Sequence, residues 1–129
     1  MRIANTIVLT LLLAASLACG YSSKSTPATA GTTPNISGLS PNNVDHGSTG
    51  VVLTVNGTNF NTNATINWNG TALTTTYMTA QQLMTTIPND DLETSGTAAV
   101  TVTNPGTSGG QYGGGTLAET SNSMTFTIN

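Results

Sequence analysis

Chemistry in this chain would have to come from very few side chains. Its 129 residues hold one Cys, one His and five carboxylates. Asp45 and His46 stand side by side and are the residue types of an acid–base pair. Neighbours on an extended chain point to opposite faces, and a catalytic triad needs convergence in space, not adjacency in sequence. The pair lies in the run PNNVDHGSTG, a loop ahead of an apolar stretch, so no catalytic role is assigned to it. Asp90, Asp91 and Glu93 form the one acidic cluster. Carboxylate oxygens suit calcium, but the calcium-loop spacing with its central Gly and terminal Glu is absent. A polar cap on a single helical turn at Asn89-Asp90-Asp91-Leu92 accounts for the cluster better. No nucleophile–base constellation, metal site or cofactor site is assigned, and the chain is read as a non-enzyme.

Cys19 is different, because its place in the chain is informative. Met1-Arg2 supplies a short positive end, and an apolar stretch runs from Ile7 to Ala15. That stretch is shorter than the roughly 20 apolar residues of a membrane-spanning helix, and it ends in the small residues Ser16 and Ala18. Residues 1–18 therefore read as a cleaved signal peptide, with an uncleaved anchor as the alternative. Ala18-Cys19-Gly20 resembles the end of a bacterial lipobox, in which the Cys becomes the first mature residue and carries lipid. A lipobox has Leu three positions before the Cys; here Ser16 stands there and Leu17 is one position late. Ordinary cleavage after Ser16-Leu17-Ala18 is the competing account. The resemblance implies an exported envelope lipoprotein. Since Gly20 is not acidic, it also implies the outer membrane or cell surface in a Gram-negative bacterium, with secretion as the alternative.

Charge excludes several classes of partner. Only 5% of the residues are charged, against about a quarter in an ordinary soluble domain. Both basic residues, Arg2 and Lys24, lie before Thr26, and the two against five carboxylates give a formal net charge of -3. Nucleic-acid binding needs a basic surface, and so does clamping of strongly anionic ligands. Neither is expected. The lone Cys permits no disulfide within the chain and no cysteine metal cluster.

The elements behind these side chains follow from composition and alternation. Residues 19–33 hold Cys19 and then a run of Ser, Thr, Gly, Pro and Ala, which cannot build a core and reads as a flexible tether. Its 14 residues after Cys19 could reach at most about 45 Å extended, or about 20 Å as a relaxed coil. Residues 34–129 read as strands. Val51, Leu53 and Val55 alternate with Val52, Thr54 and Asn56, and Ile66 and Trp68 with Thr65, Asn67 and Asn69. Leu83, Thr85 and Ile87, then Ala98, Val100 and Val102, then Met124, Phe126 and Ile128, continue the pattern. Asn56-Gly57 is expected to end one strand, Asn69-Gly70 to form a tight hairpin, and Asn104-Pro105-Gly106 to end another strand. About seven short strands at this spacing point to an all-β, two-sheet sandwich. Trp68, Phe60 and Phe126 are its expected aromatic core.

The quoted runs resemble the IPT/TIG domain. Pro34-Asn35-Ile36-Ser37-Gly38-Leu39-Ser40-Pro41 matches its opening. Leu53-Thr54-Val55-Asn56-Gly57-Thr58-Asn59-Phe60 matches its Gly-x-Asn-Phe signature. Ile66-Asn67-Trp68-Asn69-Gly70 and the closing strands through Met124-Thr125-Phe126-Thr127-Ile128 extend the match over residues 34–129. The resemblance implies an immunoglobulin-like, E-set-like sandwich of the type found in bacterial exported proteins. Gly57 is expected to permit a bend that lets Phe60 plug the open end of the sandwich.

One stretch is longer than the family leads one to expect. Residues 105–122, PGTSGGQYGGGTLAETSN, contain six Gly and a single Tyr112. A loop there lies at one end of an immunoglobulin-like sandwich, where binding loops gather. Tyr112 is thus a candidate ligand contact, and a floppy insertion without a partner is the alternative. The function expected is a non-enzymatic binding, adhesion or structural module at the cell surface, touching a protein or a second copy of itself. A carbohydrate-binding accessory domain is the competing expectation, with only Tyr21, Tyr77 and Tyr112 uncommitted to supply an aromatic platform. Membrane contact is expected through the lipid on Cys19.

Overall fold

The structure is a computed structural model describing residues 26–129. The expected signal segment, residues 1–18, and Cys19 lie outside the described residues. Alternating apolar residues produce a two-sheet sandwich, because each strand has one face to bury. In the first sheet β1 (Asn35–Ser40), β3 (Val52–Thr58), β7 (Gln82–Thr86) and β6 (Thr75–Thr79) lie side by side in the order β1-β3-β7-β6. In the second, β2 (Asn43–Val44), β12 (Met124–Ile128), β8 (Gly96–Asn104), β4 (Thr65–Trp68) and β5 (Thr71–Ala72) follow in that order, and β11 (Glu119–Thr120) pairs the far end of β8. The chain changes sheet between β1 and β2, where β2 runs parallel to β12.

Leu53, Val55, Leu83 and Ile87 from one sheet meet Ile66, Val100, Val102 and Phe126 from the other, all at 0–1% exposure. Trp68, at 3% exposure, packs on Phe126 with ring centroids 5.1 Å apart and planes tilted by 58°, within the range favoured by aromatic pairs. Phe60 is equally buried. Asn69-Gly70 joins β4 to β5 with φ values of 48° and 85°, the left-handed pair that a primed two-residue turn requires.

The structure corrects several sequence expectations. Among the described residues, short two-residue strands at the sheet edges add to the expected sandwich strands, and the Gly-rich stretch expected as a loop is itself a hairpin. That hairpin pairs β9 (Thr107–Gly110) with β10 (Gly113–Thr116). Part of the expected tether is also engaged, since Thr26 and Thr29 run parallel to β10 and bridge Gly113 and Thr116. Asn56-Gly57 does not end its strand: β3 continues to Thr58, and the left-handed turn falls at Asn59 with φ 62°. The 3-10 turn Asn89–Leu92 forms, but no side chain caps it. The Asn89 carboxamide oxygen instead accepts from the Gly50 N–H at 3.1 Å.

Candidate functional site

The residues that suggested chemistry hold loops together. Both the backbone N–H of His46 and its Nδ1 lie within 2.8–2.9 Å of the Asn129 carbonyl, and the Asp45 carbonyl accepts from the Ser48 hydroxyl at 2.6 Å. Asp90, Asp91 and Glu93 are exposed on the 3-10 turn. Among the described residues no three His, Cys, Asp or Glu gather as a metal site. No helix among them is long and apolar enough to cross a membrane.

Tyr112 stands at the two-residue turn of the β9–β10 hairpin and is 81% exposed. Glycine builds this hairpin by leaving room for backbone. A Cβ on Gly109 would strike the Gly114 carbonyl, and one on Gly115, whose φ is +97°, would strike that of Thr107. Hydroxyls finish the pairing: Thr107 and Thr116 exchange bonds of 3.0–3.1 Å between side chains and backbone N–H groups. The N-terminal segment is laid along β10. Thr26 N–H donates to the Tyr112 carbonyl at 3.2 Å, and Gly114 N–H donates to that of Thr26 at 2.8 Å. Thr29 N–H donates to the Gly115 carbonyl at 3.0 Å, and Leu117 N–H to that of Thr29 at 2.9 Å. The result is a three-stranded ribbon in which no residue from Pro105 to Ala118 is buried.

Carboxamides tie the ribbon to the sandwich. Asn104, at 1% exposure, donates from Nδ2 to the carbonyls of Thr32 and Asn59 at 2.7 Å each, and its Oδ1 accepts from Asn61 N–H at 3.0 Å. Asn122 bonds the N–H and the carbonyl of Ile36 at 2.8 and 3.0 Å, as a paired strand would. Gly57 works by space and not by bending. A Cβ there would strike the Asn35 carbonyl and come 2.6 Å from the Phe60 ring. Tyr77, read from sequence as uncommitted, is half-buried against the core. Tyr21 lies outside the described residues.

A second feature lies on the outer face of the first sheet. Val52, Met84, Thr74, Thr76 and Thr86 line an open groove of about 500 Å³. Cross-strand pairing of Val52 with Thr86, and of Met84 with Thr54 and Thr76, brings these side chains to one face. Val52 is 45% exposed and the lining carries no charge. Sequence reading missed this groove because Val52 and Met84 fall on the polar phase of their strands and read as isolated exceptions.

The groove lies where β3 begins and β7 ends. The ribbon lies at the other end of the same strands, beside Thr58 and Asn59. The Gly-x-Asn-Phe run places the Phe60 ring against Gly57, inside the core that also holds Trp68 and Phe126. The IPT/TIG domain model matches residues 34–128. The chain belongs to the IPT/TIG domain family. IPT/TIG domains are immunoglobulin-like modules with binding or structural roles, non-catalytic as a family, and they commonly mediate protein interactions. No curated protein and no solved structure matches the chain.

Proposed function

We propose that this IPT/TIG protein is a non-enzymatic binding module of the bacterial envelope, tethered by lipid at Cys19, that contacts a protein through the outer face of its first sheet. The uncharged groove over Val52 and Met84 carries this reading. Apolar and hydroxyl side chains there offer shape and short polar contacts without an electrostatic demand on the partner. The position of Cys19 after Ala18, behind an apolar stretch, supports the anchor. A stable anchor implies more than one acyl chain, because a single one binds only marginally.

Two measurements on the full chain test it. With Cys19→Ser, the protein should move from the membrane to the soluble fraction; a wild type already soluble, or a variant equally membrane-bound, removes the anchor. A photo-crosslinking residue at Met84 should yield protein adducts on cells, and one at the exposed Thr125 of the second sheet should not. Equal adducts at both positions, or none at Met84 alongside strong signals on a glycan array, would overturn protein contact through this face.

A further inference from the structure

We propose that the β9–β10 hairpin rests with Tyr112 on the bilayer to which Cys19 attaches the chain, so that the domain meets the membrane at two points. This rests on the lipid attachment proposed above.

The first observation is chain length. Thr26 is hydrogen-bonded to the Tyr112 carbonyl, so the docked part of the chain begins seven residues after Cys19 and not at Thr33. The seven steps from Cys19 to Thr26 span at most about 25 Å. Thr26 is the described residue nearest Cys19 along the chain, and its bond to the Tyr112 carbonyl places the hairpin turn beside it.

The second observation is charge. Residues 105–118 contain none, while Asp45, Asp90, Asp91 and Glu93 lie at the opposite end of the sandwich. That end is stitched together by bonds from Gly47 N–H to the Leu92 carbonyl and from Gly50 N–H to Asn89. Glu119 is the one carboxylate at the ribbon end, and it sits at the ribbon's base opposite Asn104. An anionic membrane surface repels the acidic end and tolerates the uncharged one. The third observation is the ring itself. Tyr112 is 81% exposed, and tyrosine favours the headgroup level because its ring is apolar and its hydroxyl wet. Gly110 and Gly113, on either side of the Gln111-Tyr112 turn, add no side-chain bulk, and Gln111 beside the ring is uncharged.

The test uses Tyr112→Trp. Trp68 is the only native Trp and is buried, so the parent protein gives the background. In one arm, lipoprotein purified from membranes is reconstituted into vesicles of phosphatidylcholine with anionic phosphatidylglycerol. In the other, the chain from Cys19 onward, which keeps every described element, is coupled through its sole thiol to a maleimide lipid in the same vesicles. Quenching is read with lipids brominated near the headgroup and with aqueous iodide. On vesicles, brominated lipid should quench the new Trp, and its iodide quenching should fall several-fold relative to the soluble Cys19→Ser form. If the new Trp stays as open to iodide as in solution in the coupled arm, or in natural protein that carries lipid, the proposal is overturned. If the cell attaches no lipid but the coupled arm shows protection, the natural anchor is refuted and the contact between hairpin and bilayer stands. An emission change in cells that vesicles do not reproduce assigns Tyr112 to a protein partner and overturns the proposal.

Discussion

Asn104 stands where three parts of the chain meet: the segment before β1, the turn after β3 and the end of β8. At 1% exposure its carboxamide makes three bonds to Thr32, Asn59 and Asn61. Replacement by Ala leaves two carbonyls and one N–H without their partner in a part-buried place. Each orphaned group costs about 1–3 kcal/mol. Relaxation and water recover part of the sum, so Asn104→Ala should lose about 2–4 kcal/mol in urea unfolding. Asn104→Asp keeps the acceptor but loses both donors and buries a charge, and it should be no better. A loss within experimental error for Ala would show that water replaces the carboxamide. Nothing in the local pattern Thr101-Val102-Thr103-Asn104 announces this task, because the partners come from elsewhere in the chain.

At the scale of elements, the strands that alternate were legible in the sequence. Leu53/Val55, Ile66/Trp68, Leu83/Thr85/Ile87 and Ala98/Val100/Val102 all have the phase expected of them, with their inward residues buried. Asn69-Gly70 was legible because its chemistry is local. The Gly-rich stretch was not. Glycine has no side chain to alternate, so a paired glycine strand and a slack loop look the same. The partner that orders it, Thr26–Thr29, is remote in sequence and was itself read as tether. The Gly57 motif is visible in the sequence, but the close approach of the Asn35 carbonyl comes from β1 and is not. The ribbon buries no residue from Pro105 to Ala118. Replacing residues 107–116 by a two-residue Asn-Gly turn should therefore leave the thermal midpoint nearly unchanged, since loop length affects closure entropy only slowly. A large drop in calorimetry would mean that the ribbon supports the core.

The whole molecule is unusual in having no cation from Thr26 to Asn129. Its described fold therefore owes nothing to Lys or Arg ion pairs. Apolar packing and neutral hydrogen bonds carry it, and among the described residues every buried side-chain nitrogen and oxygen has a partner. Its exposed charges are carboxylates, four of them at one end, and salt weakens repulsion among like charges. Raising NaCl from low ionic strength to about 0.5 M, where the screening length is only a few ångströms, should leave the melting temperature of the domain level or slightly higher. A clear fall would reveal attractive charge interactions that the described fold does not contain.

The parallel run of Thr26–Thr29 along β10 also has a mechanical meaning. Any load applied to the chain ahead of Thr26, away from the sandwich, pulls along the strand axis. The bonds to Tyr112, Gly114, Gly115 and Leu117 then lie across the line of force and are strained together instead of opening one after another. Such shear geometry resists more than peeling does. From Thr26 to Thr29 the chain is therefore a stiff stub held against the hairpin, and a pull on it is passed straight to β10.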